Sequence, residues 1–237
     1  MDVPVDTLPD LLAPGLRVVF VGINPSSYSA ARGHYFARKT SRFWPSFSRS
    51  RLSAPVRLGL GRDQLGPEDD RELPRFGFGF TDVVKTPSSN AAALRPADFA
   101  RWAPDLPRRL AAARPAVLCF HGTMAFRPFR RWGLGLPDRA RPAPTPPRPA
   151  PPASGHPAPG TRLAPVPAGY PAAGSGTRPK DGWGYPAAGT RLGPQPETLD
   201  GARIFVVPNP SPANAHVTPA EQVAWYDQVA DFVEQIG

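Results

Sequence analysis

Two short apolar runs in this chain each empty into an Asn-Pro-Ser loop. Val18-Val19-Phe20-Val21 leads directly into Gly22-Ile23-Asn24-Pro25-Ser26-Ser27, and Ile204-Phe205-Val206-Val207 leads into Pro208-Asn209-Pro210-Ser211. A third run ends in Phe80-Thr81-Asp82-Val83-Val84-Lys85. Amide groups can hold a water without adding charge, and a carboxylate at the same rim can activate that water or favour a developing positive charge. β-Branched strands that discharge into such loops put their polar groups at one edge of a sheet, where open α/β folds bind ligands. Asn24-Pro25 taken alone is also an ordinary turn. Asp82 taken alone is equally a helix cap or a salt-bridge partner for Lys85 or a nearby arginine.

The elements that must position these residues follow from periodicity. Apolar runs at 18–21, 78–84 in part, 116–120 and 204–207 alternate with segments of helical character at 42–60, 97–113, 123–132 and 219–236. The last has a full start signal, with Thr218 as cap, Pro219 in the first turn and Glu221 three residues on from the cap. Val223, Tyr226, Val229 and Phe232-Val233 would form its apolar face. Strands separated by helices argue for a mostly parallel sheet covered on both faces. The expected fold class is α/β, a three-layer α/β/α sandwich around a short, mostly parallel sheet.

Composition divides the chain. Of its 35 prolines, 17 fall between Pro137 and Pro196, in a Gly- and Ala-rich stretch without sustained period. Such a stretch buries too little apolar surface to offset its ordering entropy. GYPAAG at 169–174 returns at 184–189, and GTRL at 160–163 returns at 189–192, a local duplication.

Charge is uneven as well. The net charge is +9, and between Leu11 and Arg62 lie nine basic residues and no acid: Arg17, Arg32, Arg38, Lys39, Arg42, Arg49, Arg51, Arg57 and Arg62. A basic surface interleaved with Tyr35, Phe36, Phe43 and Trp44 points to a polyanion, whose counterions it would release. The acids Asp63, Glu68, Asp69, Asp70 and Glu72 read as a solvated loop and helix start facing away from it. The single cysteine, Cys119, allows no intramolecular disulfide and reads as a buried apolar side chain. His34, His121, His156 and His216 lack metal-ligand spacing, so the expected chemistry uses no metal and no cofactor. Residues 1–16 show no signal peptide and no run reaches membrane-spanning length. The expected protein is a monomer, cytoplasmic and nucleoid-associated, with no membrane partner.

Four motifs in order carry a resemblance: GINPSS at 22–27, GHYFARKTSRFWPSF at 33–47, GFGFTDVVKTPSS at 77–89 and VVPNPSPANAH at 206–216. Together they resemble the mismatch-specific uracil-DNA glycosylases, which include the thymine-DNA glycosylases. The resemblance implies the same α/β/α fold. It implies a catalytic domain of residues 1–136 and 183–237, interrupted by a Pro/Gly/Ala-rich insertion at 137–182, with Trp183-Gly184 already back in the core.

Site roles follow from the same resemblance. Asn24 would hold the attacking water, and Phe36 would stack on the flipped base. Gly22, Ile23, Ser26 and Ser29 would line the base pocket, with the backbone N–H groups of Ile23, Ser26 and Phe36 bonding the base edge. Asn209, Ser211, Pro212, Ala213 and Asn214 would form the loop that fills the gap left by the flipped nucleotide, and Arg42 and Lys85 would contact DNA. The chain departs from the family in two places. Pro212-Ala213 stands where a Gly-Leu pair is commoner, making a smaller plug, and Asp82 stands where many relatives carry a basic or amide residue. With Asp82 as base or electrostatic stabiliser and Asn24 positioning the water, the expected activity is hydrolysis of the N-glycosidic bond of uracil, and by extension other damaged pyrimidines, in mismatched duplex DNA. The alternative is a DNA-binding or scaffold protein on the glycosylase fold with weak or no catalysis.

Overall fold

A computed structural model describes residues 7–137 and 191–236. Its centre is a five-stranded sheet of β1 (Val18–Gly22), β2 (Phe78–Asp82), β3 (Val117–His121), β4 (Gly193–Leu199) and β5 (Ala202–Val207), in the order β2-β1-β3-β5-β4. The first three and β5 are parallel, and β4 pairs antiparallel with β5 at the edge. The three-layer expectation therefore holds, with one edge strand beyond the four predicted.

Side-chain alternation assigns the two faces. Val18, Phe20, Phe78, Phe80, Cys119 and Phe205 pack beneath α2 (Phe43–Arg49) and α7 (Pro219–Ile236), where Phe43, Phe47 and Tyr226 are buried. Val19, Val21, Leu118, Phe120 and Val206 face the other way onto Phe99, Leu106, Leu110, Phe126 and Phe129. These come from α4 (Pro96–Trp102), α5 (Leu106–Ala111) and the segment beginning at α6 (Thr123–Pro128). Strands buried on both faces explain the near-continuous apolar runs. Each fully buried Phe or Leu contributes about 1.5–3 kcal/mol, so the sheet ends are held rigidly enough to position the loops beyond them. Cys119 is a free, buried thiol, as expected.

Several expected helices are shorter than their periodic stretches. Residues 42–60 divide into α2, a 3-10 turn at Arg51–Ser53 and α3 (Ala54–Leu60). The hydroxyls of Ser48, Ser50 and Ser53 bond back to carbonyls there, competing with the helical ladder. Residues 97–113 break at Ala103–Asp105, where Pro104 and Pro107 remove donors. α7 has its capping box, Glu221 N donating to Thr218 Oγ1 and Thr218 N to Glu221 Oε2. Its buried face carries Gln222 where Val223 was expected, because the Gln222 amide donates to Pro208 O. The expected insertion at 137–182, apart from Pro137, and the expected resumption of the core at Trp183-Gly184 lie outside the described residues. No helix among the described residues is long and apolar enough to cross a membrane.

Candidate active site

The parallel strands β1, β3 and β5 and the strand β2 all end at one rim. Chain connections leave β1 toward β2 and leave β3 toward β5, so the order reverses between β1 and β3, the position at which open α/β sheets form a ligand crevice. Gly22 and Asp82 are the last register pair of β1 and β2. Pairing does not stop there. Val83 N donates to Gly22 O (3.0 Å), Val84 N to Ile23 O (2.9 Å), Ser88 N to Pro25 O (3.1 Å) and Ser27 N to Ser88 O (3.0 Å). The 22–27 loop is thus zipped to the 83–88 loop, ending in an isolated Ser26 to Ser88 bridge.

Asn24 sits inside this zipper, half-buried. Its Nδ2 donates to Thr86 O (3.0 Å), Pro25 O (3.1 Å) and Ser88 Oγ (2.9 Å). Two carbonyl acceptors fix which end is the amide nitrogen. Oδ1 accepts nothing from the described residues, leaving a neutral acceptor of fixed direction. Ser26 caps α1 (Ser27–Arg32) by accepting from Ser29 N, and the backbone N–H groups of Ile23, Ser26 and Phe36 make no hydrogen bond to the described protein outside regular strands and helices.

Phe36 is held in a left-handed backbone conformation, φ 53°, which costs a bulky residue roughly 1–3 kcal/mol and persists only where its surroundings impose it. They do. Tyr35 N donates to the buried Asp70 Oδ2 (2.8 Å), Trp44 Nε1 to Tyr35 O (3.0 Å) and Ala37 N to Ser29 Oγ (3.2 Å). The Phe36 ring stacks on Phe43, with centroids 4.4 Å apart, and meets the His121 ring edge-on at 5.3 Å. Tyr35, in contrast, is buried, stacked on Phe80, with its hydroxyl donating to Pro9 O. Composition could not choose between the two aromatics; only Phe36 is partly exposed. Burial pushes His121 down to about 3, so it is a neutral ring whose Nε2 pairs with the Tyr226 hydroxyl.

Asp82 is 4% exposed and its Oδ2 is buried without a hydrogen-bond partner. Any Cβ at Gly22 would collide with Asp82 Oδ1, so the glycine provides the space the carboxylate occupies. Burial pushes Asp82 from 3.8 to about 7, against the pull of Lys85 and Arg109 and with the help of Asp10. Neither a helix cap nor a salt bridge accounts for Asp82. The nearby cations are committed elsewhere, Lys85 Nζ to Asp10 Oδ1 (2.8 Å) and Arg109 Nη1 to Asp10 Oδ2 (2.8 Å).

The loop after β5 is knit internally. Ser211 N donates to Asn209 Oδ1 (3.0 Å), Ala213 N to Ser211 Oγ (3.3 Å) and Asn214 Nδ2 to Asn209 O (3.1 Å). Arg42 braces it, donating from Nη1 to Asn214 O and Val217 O and from its backbone to Pro210 O. Pro212 and Ala213 stand exposed at the tip.

The chain matches the uracil DNA glycosylase superfamily over residues 9–230. It belongs to that superfamily. The superfamily's activity is that of a DNA glycosylase acting on uracil, a hydrolase of DNA repair. A Methanosarcina acetivorans protein provisionally assigned as a uracil DNA glycosylase, solved by NMR, is similar at 13% identity, covering 94% of this chain and 97% of its own, with a TM-score of 0.44.

On this uracil DNA glycosylase framework, Asn24, Phe36, Asp82, Gly22, Ile23, Ser26 and Ser29 gather at the β1 and β2 ends and the loop that follows α1. Asn209, Ser211, Pro212, Ala213 and Asn214 form a separate loop beside them, joined through Arg42. Two expectations need correction. Lys85 is 3% exposed and paired with Asp10, so it does not offer its charge to DNA phosphates. Asp69 and Asp70 are not solvated: Asp69 pairs with Arg62 and accepts from Gly66 N, and Asp70 anchors Tyr35 and His34. Sequence reasoning missed Asp10, Arg109 and Asp70, whose hydrogen-bond partners at the site lie 27 to 99 positions away. No local pattern marks such contacts. Among the described residues no three His, Cys, Asp or Glu side chains gather as metal ligands.

Proposed function

We propose that the chain is a monofunctional, mismatch-specific uracil DNA glycosylase that works on duplex DNA as a monomer. The observation that carries this reading is the unpaired, buried Asp82 carboxylate beside Gly22, with the neutral acceptor of Asn24 two residues further along the same rim. A uracil flipped into the crevice stacks on Phe36, a contact worth roughly 1–3 kcal/mol. The uncommitted N–H groups of Ile23, Ser26 and Phe36 then bond its edge. As the N-glycosidic bond breaks, its electron pair passes to the base, and those donors support the resulting anion. Asn24 Oδ1 orients a water toward the sugar carbon. Asp82, ionised above about pH 7, takes the water's proton as the carbon–oxygen bond forms, and its charge favours the positive sugar.

For mismatch preference the support is energetic. Pro212-Ala213 is a small wedge, and extrusion costs least where the pair is already weak. Monofunctional hydrolysis is supported by Lys85, whose amine is held by Asp10 and so is not free to form a Schiff base. End-labelled duplexes with one uracil opposite guanine or adenine, followed by alkaline cleavage of abasic sites, test the reading. Uracil opposite guanine should be excised faster, and Asn24→Ala or Asp82→Asn should each slow excision about 10²-fold or more while DNA binding persists. Tight binding without excision by the unsubstituted chain would leave the scaffold alternative in its place.

A further inference from the structure

Asp10 lies in the segment before β1. Leu11 exchanges two backbone hydrogen bonds with Phe80, N to O at 2.9 Å and O from N at 3.0 Å, so this segment runs antiparallel along the outer edge of β2. The pairing carries Asp10 to Thr81 and the head of the strand. There its Oδ1 accepts from Lys85 Nζ (2.8 Å) and Thr81 Oγ1 (2.8 Å), and its Oδ2 from Arg109 Nη1 (2.8 Å). Arg109 also donates to Thr81 Oγ1 and, through Nη2, to the backbone carbonyl of Asp82 (2.8 Å). Thr7 Oγ1 donates to Lys85 O, closing the segment over the pair.

We propose that Asp10 is a positioning residue for the glycosylase site: by engaging Lys85 and Arg109 together, it keeps both cations off Asp82 and leaves that carboxylate unpaired at the end of β2. The inference rests on Asp82 being the water-activating group. Both cations are buried or nearly so, and a buried cation deprived of its anion turns to the next one within reach. For Lys85 that anion is Asp82, whereas Arg109 also has Asp105 Oδ2 at 3.3 Å from its Nε. Lys85 follows Asp82 by three residues, and Arg109 already touches the Asp82 carbonyl. The ionisable groups around Asp82 are Lys85 from the following loop, Asp10 from the leading segment, Arg109 from α5 and Tyr35 from the loop after α1. Tyr35 is un-ionised, since burial first and Asp82 second push its phenol well up, and its hydroxyl is committed to Pro9 O. Burial pushes the Asp10 carboxyl up, but Lys85 and Arg109 outweigh it and hold it below its ordinary value. Asp10, with Asp105 on the Nε of Arg109, therefore carries the charge pairing so that Asp82 does not.

The test uses the full chain with Asp10→Asn and Lys85→Met. For each, the Asp82 carboxyl is followed by ¹³C NMR across pH 5 to 9, its resonance assigned by loss in Asp82→Asn, beside the pH profile of uracil excision. Asp10→Asn should move the Asp82 midpoint down by about one unit or more, raising relative excision well below the wild-type limb about tenfold. Lys85→Met should move midpoint and limb the opposite way. A midpoint that stays in place in a cooperatively melting Asp10→Asn protein overturns the proposal. If that variant fails to fold, a Lys85→Met midpoint that does not rise overturns it. A midpoint that moves while the rate profile stays fixed would retire Asp82 as the water-activating group, yet leave the hold of Asp10 on the two cations established.

Discussion

Replacing Asp82 by Asn should stabilise the protein at alkaline pH and not at acid pH. The carboxyl titrates at about 7 in the fold against an ordinary 3.8. Between those values the folded state binds more protons than the unfolded state, so stability falls as pH rises. The penalty is absent below pH 3.8, grows through the interval and is complete above about 7. Going from 3.8 to about 7 at about 1.36 kcal/mol per pH unit amounts to ~4 kcal/mol. An amide escapes that cost but brings its own unsatisfied groups, roughly 1–3 kcal/mol at every pH. The net expectation is a gain of ~1–3 kcal/mol at pH 8 and a loss of similar size at pH 4. For a domain of this size each kcal/mol corresponds to about 2–4 °C in Tm. Urea melts of both proteins at the two pH values give the crossing directly, and the fixed cost of the amide cancels from the comparison. A variant destabilised equally at both, or more at pH 8, would mean that Asp82 is ion-paired after all and that the account of its raised affinity for a proton is wrong.

Three further outcomes are expected. Phe36→Ala should lower kcat/KM in single-turnover excision by about 5- to 150-fold, the equivalent of 1–3 kcal/mol of lost stacking; a change below about twofold would show that the base does not rest on this ring. Arg42→Ala removes donors to Asn214 O and Val217 O, each worth about 1 kcal/mol, so amide exchange at Asn214 and Ala215 should quicken about tenfold while core amides stay protected. Gly22→Ala forces a methyl into the Asp82 carboxylate and should cost about 1–3 kcal/mol in denaturant melts. Combining it with Asp82→Ser should recover most of that loss, and strict additivity of the two would refute the collision.

What could be read in advance was what depends on local pattern. The buried strands announced themselves as β-branched runs, and Thr218, Pro219 and Glu221 marked the start of α7. β4 escaped because it is an edge strand with Pro194 and Pro196 inside it, and proline in a run argues against a strand unless the edge position is known. α1 escaped because its six residues overlap the Asn-Pro-Ser loop and are too few for a helical period to appear. At the site, the motifs located Asn24 and Asp82, but whether Asp82 was paired depended on Asp10, 72 residues earlier in the sequence. Asp70 looked solvated for the same reason, since its donor Tyr35 N lies 35 residues away, whereas Asp69 is met by the nearer Arg62 and Gly66 N.

The antiparallel sense of β4 decides where the chain re-enters the fold. Gly193 pairs with Val206, one residue before the end of β5, and Gln195 Nε2 pins the approach by donating to Arg191 O (2.7 Å) and Gly193 O (2.9 Å). A parallel fifth strand would have brought the chain in at the opposite end of the sheet. Residues 138–190 carry six basic and two acidic side chains, Arg139, Arg141, Arg148, Arg162, Arg178 and Lys180 against Asp138 and Asp181. Arg191, where the described chain resumes, is moored by the β4 pairing beside the 208–217 loop.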